Sequence, residues 1–153
     1  MKFLPLLATL TALGLVIGGC SKQESAPAAA GGHQHAAPHG GTLVEVGEHA
    51  YNIELVREAA TGKMSAYVLD GHAENFVRIT APTLEVIAFT GGQRRSIVLR
   101  AVPNSGTGET VGDTSQFEGQ ADWLKQTDKF PGAIPLVEIR GSKFANVSLY
   151  FRS

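Results

Sequence analysis

Ala133-Ile134-Pro135-Leu136-Val137-Glu138-Ile139-Arg140, then Gly141-Ser142, then Lys143-Phe144-Ala145-Asn146-Val147-Ser148-Leu149-Tyr150-Phe151: two runs rich in branched and aromatic residues, parted by a glycine turn, read as a β-hairpin. In the second run Ala145, Val147, Leu149 and Phe151 alternate with Asn146, Ser148 and Tyr150, the period of a strand with one buried face. The pattern recurs upstream. Thr42–Val46 and Tyr51–Val56 flank Gly47-Glu48-His49-Ala50, and Thr83–Phe89 and Arg95–Val102 flank Thr90-Gly91-Gly92-Gln93, both hairpin-like. Within Tyr51–Val56 the residues Tyr51, Ile53 and Leu55 point one way and Asn52 and Glu54 the other. Met64–Leu69, Phe76–Ile79 and Ser115–Gln120 add further short strands, and Pro103–Thr114 is a long loop rich in Gly, Asn and Thr. Ala121–Gln126 forms one or two helical turns, anchored by Trp123 and Leu124. Eight or nine short strands between turn signals predict a mostly β fold, an antiparallel β-sandwich or a partly open barrel with one short helical turn. Met64, Phe117, Trp123 and Phe130 are expected in its core.

The other end of the chain has a different composition. Lys2 precedes an apolar run from Phe3 to Ile17, too short for a bilayer span, and small residues follow: the order of a secretory signal peptide, over residues 1–19,. The sole cysteine, Cys20, directly follows Ile17-Gly18-Gly19. This arrangement resembles the lipobox of bacterial lipoproteins, which implies that Cys20 becomes the acylated first residue of the mature chain. Two or more acyl chains anchor a protein stably where one does not. The resemblance further implies the cell envelope and the periplasmic face, with Ser21 after the cysteine pointing to the outer membrane in a host that has one. With Cys20 so used, no thiol remains for a disulfide or for a metal ion.

Residues 20–41 are dominated by Ala, Gly, Pro, Gln, Ser and His. Such a stretch cannot bury enough apolar surface to offset its ordering entropy and is expected to be a flexible tether. Residues 42–153 then form one domain, large enough for a core without staples. The net charge is −1 and no basic cluster exceeds Arg94-Arg95, which argues against nucleic acid as a partner.

All five histidines lie in the first half of the chain. His33, His35 and His39 fall within seven residues, and neutral imidazoles suit Cu, Zn and Ni ions. His49, in the first hairpin turn, could join them if the tether folds back. His72, between Asp70 and Glu74, reads more simply as part of a polar turn. No Gly-x-Ser-x-Gly elbow, His-Glu-x-x-His helix, phosphate-binding glycine loop or cysteine nucleophile is present, so enzymatic activity is not expected.

Pro38-His39-Gly40-Gly41-Thr42-Leu43-Val44-Glu45-Val46-Gly47-Glu48-His49, with Glu54-Leu55-Val56 and Tyr67-Val68-Leu69-Asp70 after it, resembles a small periplasmic module opening with Pro-His-Gly-Gly. That module occurs near the N-terminus of some periplasmic adaptor subunits of heavy-metal efflux pumps and in small standalone lipoproteins. The resemblance implies an extracytoplasmic β domain near metal traffic, with His39 as the motif histidine and an envelope or metal-efflux protein as a partner. The adaptors' helical hairpin and lipoyl-like half-motifs are missing, so the bridging task of an adaptor is not implied. Two functions follow as expectations: binding or buffering of a Cu, Zn or Ni ion through His33, His35, His39 and His49, or a metal-independent structural or protein-interaction module. In either, acylated Cys20 holds the chain to the lipid bilayer.

Overall fold

The computed structural model describes residues 35–153. Eight strands follow one another as β1 Thr42–Val46, β2 Tyr51–Glu58, β3 Lys63–Asp70, β4 Thr83–Thr90, β5 Gln93–Ala101, β6 Gln116–Gln120, β7 Lys129–Ile139 and β8 Ser142–Arg152. Among the described residues a single 3₁₀ turn, Asp122–Lys125, precedes β7. The eight strands form one antiparallel sheet in the order β1-β2-β3-β6-β5-β4-β7-β8. Every strand contributes side chains to one apolar cluster, from Val44 and Val46 on β1 to Leu149 and Phe151 on β8.

The sheet curls until its two ends meet. At one end of the seam the Thr42 hydroxyl donates to the Arg152 carbonyl at 2.6 Å and accepts from its N–H at 3.0 Å. At the other, Gly47 lies so close to the Phe144 ring that a Cβ would collide with it, and Tyr51 meets that ring edge-on at 6.0 Å. The architecture is thus the nearly closed barrel, with the one short helical turn where Trp123 and Leu124 predict it. Leu124 is fully buried, and Trp123 packs against the cluster in which Met64, Phe117 and Phe130 are buried.

Turn chemistry sets two of the hairpins. Gly91 and Gly92 have φ of +56° and +76° between the paired Thr90 and Gln93, the left-handed values a two-residue hairpin turn requires,. In the last hairpin the turn is Arg140-Gly141, at φ +50° and +82°, one residue earlier than the sequence suggests.

Three further differences have identifiable causes. Phe76–Ile79 is not a strand: it makes only single bridges, Phe76 to Leu69 and Ile79 to Thr114, so the sheet has eight strands. Strand β7 begins at Lys129, and Phe130 faces the core opposite Phe151. Lastly, the alternation along β7 and β8 changes phase midway. On β7 the fully buried residues pass from Phe130 and Ile134 to Ile139. On β8, Phe144 faces inward and Ala145 outward, whereas Val147, Leu149 and Phe151 face inward as expected. Asn146, at φ +52°, is the residue where the phase resets, and it lies opposite Pro135, which has no N–H to donate,.

Candidate functional site

The segment before β1 is folded onto the barrel wall. Gly40 N–H donates to the Ala37 carbonyl at 3.1 Å, closing a turn with Pro38 in its second position, where a φ fixed near −65° is wanted,. Gly40 takes φ +71°, and Gly41 passes so close to β2 that a Cβ would run into the Leu55 carbonyl. Residues 37–41 therefore pack with the domain that the sequence begins at Thr42. Both glycines of the motif have steric reasons to be glycine.

What the segment covers is Glu54. Ile53 and Leu55 face the core, so Glu54 points outward, yet its side chain is 0% exposed. One carboxylate oxygen accepts the N–H of His39 at 2.8 Å and that of Gly41 at 2.9 Å. The other lies 2.8 Å from Nδ1 of the His39 ring. A carboxylate only accepts, so the ring hydrogen of a neutral His39 sits on Nδ1, and Nε2 is then the nitrogen with the lone pair. Tyr67, opposite Glu54 on β3, carries the His39 ring stacked on its own at 3.9 Å. The result is a clasp, in which a buried carboxylate fixes the position, tautomer and plane of one imidazole.

Beside the clasp a cleft of about 230 Å³ is lined by His39, Tyr67, Phe76, Thr107, Glu109 and Gln116. Phe76 is 53% exposed. Glu109 is buried, and its oxygens accept the Ser115 N–H at 2.9 Å, the Ser115 hydroxyl at 2.6 Å and the Thr107 hydroxyl at 2.6 Å. Burial alone would raise its pKa, but those hydrogen bonds and the Arg78 guanidinium together hold it below the ordinary glutamate range,. Glu109 thereby ties the 103–114 loop to the barrel. A carboxyl whose folded-state pKa is depressed stabilises the fold above its unfolded value, and that contribution is lost as pH falls through the folded value. Glu109→Gln should accordingly lower stability at pH 7, with the gap to wild type shrinking below about pH 4.5. Urea denaturation of both chains at pH 7 and pH 3.5 measures it, and a gap independent of pH would contradict this role.

The remaining histidines are dispersed. His49, at φ +71° in the β1–β2 turn, is exposed, with Nδ1 3.1 Å from Glu45 of its own hairpin. His35 meets His72 edge-to-face, with ring centres 5.4 Å apart. Asp70 accepts the Glu74 N–H at 2.9 Å and the Asn75 side-chain amide at 2.7 Å. The Asn75 bond, with backbone N–H groups of the same loop, lowers the Asp70 pKa and outweighs the effect of burial. Among the described residues, no three His, Cys, Asp or Glu side chains converge as for a metal ion. His33 and the lipidation candidate Cys20 lie outside the described residues.

The sequence marks His39 but not its partner. Glu54 reads as the solvent face of an alternating strand, and only the knowledge that residues 37–41 fold back over β2 turns it into a buried acceptor. Glu109 sits in a loop whose polar composition gives no sign of burial. No protein-family model, curated protein or solved structure matches the chain.

Proposed function

We propose that this chain is a lipid-anchored protein of the cell envelope that binds a transition-metal ion, Cu, Zn or Ni, through imidazoles of the segment leading into its barrel. The observation carrying this reading is the His39–Glu54 contact at 2.8 Å. Metal-ligating histidines typically give their second nitrogen to a carboxylate, which fixes the tautomer and raises ligand basicity. His39 has that arrangement with Nε2 to spare, and His33 and His35 lie within six residues of it along the chain. The resemblance of Pro38-His39-Gly40-Gly41 to a module found beside metal efflux supports the same reading, as does the lipobox-like Ile17-Gly18-Gly19-Cys20 for the envelope.

Calorimetric titration of the full chain in detergent with Cu(II), Zn(II) and Ni(II) tests it. Micromolar or tighter binding of at least one ion is expected, weakened tenfold or more when His33, His35 and His39 are all replaced by alanine. Equal binding by that variant would remove the reading. One observation favours the metal-independent alternative: Phe76 is half exposed beside Tyr67 in a cleft whose buried carboxylates already have their hydrogen bonds. Capture of one defined envelope protein in the presence of chelator, abolished by Phe76→Ser, would select it.

A further inference from the structure

His72 is the histidine the sequence assigns to a plain turn, and its surroundings argue otherwise. Its loop is held from several sides. Asp70 N–H donates to the Asn75 carbonyl at 2.9 Å and Ala73 N–H to the Asp70 carbonyl at 3.0 Å. The Asn52 side-chain amide, from β2, donates to the carbonyls of Asp70 at 3.2 Å and Gly71 at 3.0 Å. Gly71 lies directly against the His49 carbonyl, with no room for a Cβ, and Ala73 is buried at φ +58°. His72 itself is exposed. A pinned loop thus presents one imidazole to solvent, and His35, four residues ahead of the clasp, brings a second against it at an interplanar angle of 74°.

From this we infer a two-imidazole metal site formed by His35 and His72, separate from the His39 ring. It rests on the metal-binding reading above and names a ligand that reading lacks. The spacing lets one ion reach a nitrogen of each ring once the two side chains turn toward it. With metal–nitrogen bonds of about 2.0 Å and a further ~1.1 Å to the ring centre, two ligating imidazoles stand about 4.4 Å apart at a right angle and about 6.2 Å apart in a line. The observed 5.4 Å lies between these limits. Asp70 is turned into its own hydrogen bonds, and among the described residues no third His, Cys, Asp or Glu joins the pair. Two neutral nitrogens with water completing the shell suit Cu(II), Ni(II) or Zn(II) and are poor ligands for Mg or Ca. A bound ion would cross-link the incoming segment to the β3 loop, some thirty-seven residues away in sequence.

Cu(II) electron paramagnetic resonance and calorimetry on the full chain in detergent, with His72→Ala and His39→Ala beside wild type, provide the test. His72→Ala should weaken Cu(II) binding at least tenfold and remove one nitrogen from the coordination spectrum. The change is to an exposed side chain, so an unaltered melting temperature checks that the fold is intact. Any such loss on His72→Ala supports the site, whatever His39→Ala does. Unchanged binding by His72→Ala, with loss on His39→Ala, overturns the inference and leaves the proposed function standing. Absence of binding by wild type overturns both.

Discussion

Phe130→Ala should cost about 3–5 kcal/mol and lower the melting temperature by roughly 12–20 °C. Phe130 is 1% exposed, stacks on Phe151 at a centroid distance of 4.9 Å and takes the edge of Trp123 at 5.5 Å. Phe151 is its register partner across the β7–β8 hairpin. The 3₁₀ turn closes over the same place, with Leu124 fully buried and its carbonyl held by the Arg57 guanidinium at 2.7 Å. Removing the ring leaves a cavity walled by strands that the barrel holds apart, so collapse cannot refill it. Leu136→Ala is the internal control. It lies on the same strand but is 57% exposed, on the outward side of the phase change at Pro135, and should stay within about 0.5 kcal/mol,. Thermal and urea denaturation of the two variants measure the contrast, and comparable losses would mean that β7 is not packed as described.

That contrast separates what the residues state by themselves from what only the fold supplies. Alternation and glycine turns are local signals, so the hairpins and the β class can be read directly, and so can the helical turn at Trp123. Closure of the sheet depends on Thr42 meeting Arg152 across most of the chain, and no local pattern encodes that pairing. The inward position of Phe144 is hidden for a related reason: a strand's period is readable only while its phase is constant, and Asn146 at a positive φ resets it. The clasp is half legible. Pro38, Gly40 and Gly41 announce a turn, and His39 announces a possible ligand. The acceptor they fold onto is fifteen residues away and disguised as a solvent-facing glutamate in a regular strand. His72 stays hidden in the same manner, since its apposition to His35 exists only once the incoming segment lies on the barrel.

Glu54→Ala should then be the most damaging substitution outside the core, at about 2–4 kcal/mol. It leaves the N–H groups of His39 and Gly41 and the His39 ring without their common acceptor, so residues 37–41 should detach from β2. Amide exchange at His39 and Gly41 reports this directly, and both should lose protection. His39→Ala keeps both backbone donors on the carboxylate and should cost less, while His49→Ala should cost almost nothing. Glu54→Gln separates the clasp from ligand chemistry. Two backbone N–H groups require an oxygen at one position of the side chain, so its amide nitrogen must face His39 Nδ1. Nδ1 then has to accept, the ring hydrogen moves to Nε2, and the lone pair available to a metal ion is lost from that nitrogen. The expected result is a chain in which amide protection at 39 and 41 survives while Cu(II) affinity falls about tenfold or more. Protection and affinity both unchanged would make the clasp a purely structural device, and His39 no ligand.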